Sequence, residues 1–149
     1  MANFLTDART ALLAELKGDA QVAALVRTWF EFGPGLRRRF NLEPAACPLV
    51  ALSPVDGEAL RTANALTHVA QRLRVSVATA GQDAEPCEQI VALVLDRIAA
   101  CDEDCLGLAA DGLAGVDVEG IHWRCEPDEA GARTLWTADV DVALRWHRT

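Results

Sequence analysis

Apolar positions recur at helical spacing near the start of the chain, where Ala8, Leu12, Leu13 and Leu16 fall on one face ahead of Gly18. Such a stripe has to be covered, so the pattern predicts an amphipathic helix over Leu5 to Leu16, with Thr6 as N-cap and Gly18 closing it. Asp19 or Gly18 then starts a shorter helical piece through Val22, Leu25 and Val26. At Thr28-Trp29-Phe30-Glu31-Phe32 the residues become aromatic and β-favouring, which predicts a strand beginning near Arg27. Gly33-Pro34-Gly35 ends it, and 36–44 holds no stable period and reads as an exposed loop. Pro48 to Pro54 is a proline-bracketed apolar strand, followed over Val55 to Leu66 by a turn and a weak helical piece.

From Thr67 to Thr79 the period is two. Val69, Leu73, Val75 and Val77 share one face and His68, Arg72, Arg74 and Ser76 the other, as in a half-solvated antiparallel strand. Asp83 with Glu85-Pro86 carries the signature of a helix start, and Ile90, Val91, Val94, Leu95 and Ile98 extend an apolar stripe through Ala100. Val116 to Cys125 and Thr134 to His147 are two further strands, a terminal hairpin around the polar 126–133 tip. In the last strand Trp136, Ala138, Val140, Val142, Leu144 and Trp146 form one face. Thr137, Asp139, Asp141, Arg145 and His147 form the other, which meets water or a partner. The order predicts one α+β domain over 1–149, a mostly antiparallel β-sheet with two main helices packed on one face.

Composition leaves that picture intact. Of 149 residues 51% are hydrophobic and 24% charged, an ordinary globular balance. No apolar run approaches the roughly 18 residues a spanning helix needs, so no membrane role is expected. The first residues lack a basic leader and an apolar signal core, and read as a mature intracellular start. Five cysteines are an odd number, so a full disulfide framework is not expected and reduced thiols are the default. A net charge of −8 repels phosphate over most of the surface and disfavours free nucleic-acid binding.

The motifs with a definite chemical mechanism, among them the phosphate-binding loop, the dinucleotide fingerprint, the nucleophile elbow and the zinc-protease pair, are absent from the sequence. Cys101, Cys105, His122 and Cys125, with Cys87 in reserve, could complete a tetrahedral zinc set, but no pair has the C-x2-C spacing. A helix end with an acidic solvated turn is the simpler reading. His68, His122 and His147 have no nucleophile at a matching spacing. No catalytic residue, metal or cofactor is therefore expected, and the chain reads as a non-enzyme. A small enzyme or metal-binding domain using Cys101, Cys105, His122 and Cys125, and a monomeric ligand-binding or adaptor domain, stand as the rivals. The four tryptophans, Trp29, Trp123, Trp136 and Trp146, read as core area, and the lack of tyrosine speaks against a base-stacking surface. What remains is charge. Arg37, Arg38 and Arg39 form a basic cluster, and Asp102, Glu103, Asp104, Glu126, Asp128 and Glu129, with Arg133, supply complementary candidates for subunit contacts.

Taken together, the Leu5 to Leu16 helix, the segment 19–26, the 47–52 strand, the 73–77 strand, the 85–100 helix and the closing hairpin with its 137–145 strand resemble the tail terminator and tail-completion proteins of tailed bacteriophages. The resemblance spans nearly the whole chain. It implies a virion structural protein that forms a ring, usually a hexamer, on the end of the tail tube. One face would dock the tail tube protein and the other a head-side connector or neck protein, with DNA only passing through the lumen. A head-completion or neck protein is the neighbouring alternative. The family supplies no catalytic residues to carry over.

Overall fold

The first apolar stripe builds helix α1 (Phe4–Gly18), with Ala8, Leu12, Leu13 and Leu16 buried. The computed structural model describes residues 4–32, 46–55, 61–63, 68–101, 104, 106–127 and 134–147. Helix α1 begins two residues earlier than its sequence cap suggests, so Thr6 lies inside the first turn. Tertiary contacts explain the extension: the Phe4 ring meets Trp146 edge-on at 4.8 Å, and the carbonyl of Leu5 accepts from Gln71 Nε2 at 2.9 Å. Asp19 caps helix α2 (Ala20–Leu25) as expected, its carboxylate accepting from the backbone N–H of Gln21 and of Val22.

Strand β1 (Thr28–Glu31) leads to β2 (Leu49–Pro54), β3 (Arg61–Ala63) and β4 (His68–Gly81). The short β3 falls where a helical piece is expected from sequence, because Arg61 to Ala63 find backbone partners at Ala70 to His68 of β4. Helix α3 (Glu85–Ala99) follows, then a 3-10 turn at Ala109–Asp111, then β5 (Leu113–Pro127) and β6 (Thr134–His147). At the start of α3 the Asp83 carboxylate accepts from Glu85 N–H at 3.0 Å, one position away from the formal cap at Ala84.

Among the described residues the sheet runs β1-β2-β4-β6-β5, with β3 joined to β4. Every pairing is antiparallel except the first. Strand β1 lies parallel to β2, Trp29 opposite Val50 and Phe30 opposite Ala51, so the sheet is mostly antiparallel with one parallel edge. The β4–β6 ladder is continuous from His68–His147 to Gly81–Thr134, whereas β5 shifts register twice against β6, between Leu113 and Gly115 and between Val118 and Gly120.

Helices α1 and α3 cover one face of this sheet. Leu12 and Leu16 of α1 and Ile90, Val94 and Ile98 of α3 close over Val50, Leu73, Val75, Val140, Val142 and Leu144. An ion pair from Arg97 to Glu15 ties the two helices together. Gln71 of β4 enters this core with both ends of its amide bonded, giving Nε2 to Leu5 and accepting Trp146 Nε1–H at 3.0 Å. The architecture is α+β, mostly antiparallel, with two main helices on one face.

Cys87 projects from α3 into the core, fully buried, and loss of hydration pushes its thiol up to about 11, with Glu88 adding to the rise and Thr79 opposing it. Burial likewise raises Cys47. At pH 8 iodoacetamide is therefore expected to modify exposed Cys125 and to spare Cys47 and Cys87 until the protein unfolds, which mass spectrometry would resolve. The sign of the linkage follows. Below pH 9 the Cys87 thiol is protonated folded and unfolded. Between about 9 and 11 only the unfolded chain gives up the proton, so stability falls across that window. Urea melts of the parent should lose more stability there than those of Cys87→Ala.

Candidate assembly surface

The face of the sheet away from the helices carries the polar halves of β4, β6 and β5, and alternation brings their charges into a cross-strand ladder. Arg72 meets Glu119 at 2.9 Å, and Arg74 grips Asp141 through two nitrogens at 2.8 and 3.3 Å. Asp141 also lies 3.6 Å from His122 Nε2. Asp139 accepts from Ser76 Oγ at 2.7 Å and from Arg124 at 3.3 Å. Arg145 reaches Asp117 at 2.8 Å across Gly115, where a Cβ would stand 2.2 Å from the guanidinium, so glycine leaves that path open. The face is less solvated than its sequence suggests: Ser76 is 2% exposed and Asp139 5%. Beside the ladder, Leu49, Ala51, Ala78 and Leu135 form a second, small apolar cluster with Cys47, Phe30 and Phe32.

The charge ladder neutralises itself. Acids and bases alternate across three strands and satisfy one another, an arrangement that stiffens the sheet and leaves no concentrated field for an anionic ligand. His122 faces a carboxylate already held by Arg74.

The zinc reading fails on its first sulfur. Cys101 is disulfide-bonded, which also corrects the expectation of reduced thiols there; an odd cysteine count forbids complete pairing but not one bridge. Among the described residues no group of three or more His, Cys, Asp or Glu side chains is placed to hold a metal.

Of the charged contact candidates, Arg37, Arg38, Arg39, Asp102, Glu103, Asp128, Glu129 and Arg133 lie outside the described residues. Asp104 is exposed in the turn after α3. Glu126 pairs through its backbone with Leu135 in the hairpin, and its side chain lies outside the described set.

A surface that sequence reasoning missed runs along β5, at the open end of the strand path. Opposite residues on paired strands share a face, so Val118, Ile121 and Trp123, opposite Val142, Val140 and Ala138, point to the helix side. Helix α3 does not reach far enough to cover them all. Val118 remains 38% and Trp123 50% exposed, which corrects the expectation that Trp123 supplies core area. Trp123, Trp136 and Cys125, with Ala84, Glu88 and Arg124, line an open groove of about 380 Å³ at the start of α3. The indole of Trp136 is fixed there by a bond from Nε1 to Gly81 O at 3.3 Å.

A chain of the virion of a native gene transfer agent particle shares the fold, with a TM-score of 0.59 over 93% of each chain at 19% identity. No curated protein matches the sequence. The family model described as tail completion protein gp17 matches residues 10–145, from the middle of α1 to the end of β6. Over nearly its whole length, therefore, the chain belongs to the tail completion protein gp17 family.

Proposed function

We propose that this protein is a structural component of a phage-like virion that closes the end of the tail tube as a ring, six-fold in the simplest case, and joins the tail to a head-side connector. The whole chain acts as one domain in this reading, and recognition is by surface complementarity without a chemical step. The observation that carries it is membership of the tail completion family over residues 10–145. A fold shared with a chain of a gene transfer agent virion supports it. The self-neutralised ladder and the net charge of −8 suit a lumen through which DNA passes without adhering.

The test is genetic and visual. A phage or transfer-agent particle lacking the protein is expected to yield filled heads and unjoined tails, or tails of abnormal length, in negative stain, and added purified protein to restore joining. Normal joined particles without it would overturn the reading. Replacing Arg37, Arg38 and Arg39 by glutamate is expected to weaken ring assembly or docking at least tenfold while leaving the circular dichroism spectrum unchanged. Unaltered assembly would remove that cluster from the mechanism.

A further inference from the structure

The two ends of the strand path are not alike, and they are aligned. One row of residues crosses the whole sheet on the helix side: Trp29 of β1, Val50, Val77, Ala138 and Trp123 of β5. A tryptophan therefore stands at each end of the same row. At the β1 end Lys17 lies over the Trp29 ring at 5.9 Å, Arg27 is exposed just before the strand, and Glu31, the acid of β1, is neutralised by Arg9 at 3.3 Å. At the β5 end the exposed acids Asp83, Glu85 and Glu88 stand by the Trp123 groove at the start of α3, and the one base lining that groove, Arg124, is held by Asp139 at 3.3 Å. One end is cationic, the other apolar with an acidic rim.

We infer that the Trp123 groove on the β5 edge receives the β1 end of a second copy of this chain, joining subunits head to tail. The inference rests on the ring proposed above and assigns its contact surface. Three observations select a second copy as the occupant. The charges at the two ends are opposite in sign, as a self-complementary heterologous contact requires. The strands at the two ends run antiparallel to each other, following the pairings along the path, so copies placed side by side present compatible edges. Finally, β5 spans 15 residues and leaves Val118 and Trp123 uncovered on its apolar face, a form of edge that natural sheets protect unless it is used. A contact between unlike surfaces closes into a ring when the rotation between copies divides the circle.

The experiment is a mixing test on the full chain, read by light scattering on a sizing column at concentrations up to millimolar. One variant, Trp123→Ala, alters the β5 end; the other, Lys17→Glu with Arg27→Glu, alters the β1 end. Each alone is expected to assemble at least about thirtyfold more weakly than the parent, the effect typical of losing a central aromatic anchor. Mixed one to one, they retain a single competent pair of surfaces and are expected to give a dimer containing one of each and nothing larger. Val118→Glu, on the same stripe, provides a second β5 variant, and circular dichroism checks that each folds. If the parent assembles and both β5 variants still assemble like it, the groove is not the subunit contact, although the ring stands. A parent that stays monomeric throughout, with particles that join normally in its absence, overturns the ring reading and this inference with it.

Discussion

Gln71→Leu is expected to lower the free energy of unfolding by about 3 kcal/mol, although leucine fits the volume and the surroundings are apolar. Glutamine here joins two polar groups, the carbonyl of half-buried Leu5 and the indole N–H of buried Trp146. Its amide gives a hydrogen bond to the Leu5 carbonyl and takes one from the Trp146 indole, and Gln71 and Trp146 are 6% and 1% exposed. Leucine would strand the buried indole N–H, at roughly 1 to 3 kcal/mol, and cost the Leu5 carbonyl, which keeps its place in the α1 ladder, a second bond worth about 1 kcal/mol, offset only in part by the added apolar contact. Trp146→Ala, which opens a cavity beneath Phe4 and also strands Gln71, should cost about 4 kcal/mol. Urea denaturation read by circular dichroism measures both. The double variant Gln71→Leu with Trp146→Phe should cost less than the sum of its parts, because donor and acceptor leave together.

Asp139→Ala and Asp117→Ala are expected to differ sharply, although both carboxylates belong to the same cross-strand ladder. Asp139 is 5% exposed and bonded to Ser76 and Arg124, so its removal leaves the buried Ser76 hydroxyl without that acceptor and should cost about 2 kcal/mol. The Asp117 side chain is 55% exposed and its Arg145 partner 61%, so hydration substitutes for the pair and the cost should stay within about 0.5 kcal/mol. Equal costs in chemical denaturation would mean that the ladder acts as a surface network in which depth is irrelevant.

The central strands were legible in the sequence because each has two unlike faces. Val69, Leu73, Val75 and Val77 lie in the core as the alternation requires, and so do Ala138, Val140, Val142, Leu144 and Trp146. The α3 stripe was equally plain, because a helix packed on a sheet must be apolar along one side. The direction of β1 was not legible: four residues carry no mark of orientation, and the parallel pairing with β2 depends on the path of the chain between them. The exposure of Trp123 was hidden for a related reason. Alternation assigns a residue to a face but not to the middle or the margin of the sheet, and at the margin the covering helix ends before the strand does. The depth of Ser76 and Asp139 escaped for the opposite reason, since polar residues on a polar face look solvated until they are found bonding each other. Most of the charged contact candidates fall outside the described residues, so the arginine cluster stands on its sequence alone.

The unbroken β4–β6 ladder divides the backbone amides by how readily they meet solvent. Both strands are bonded along their length and lie inside the sheet, so their protons should exchange with deuterium only through events approaching global unfolding. Those β5 amides that point away from β6 lack that protection and should exchange rapidly in the isolated chain. They are natural reporters of whatever comes to lie against this edge: in a particle, slowed labelling confined to every other amide of β5 would register a neighbouring strand with no substitution introduced.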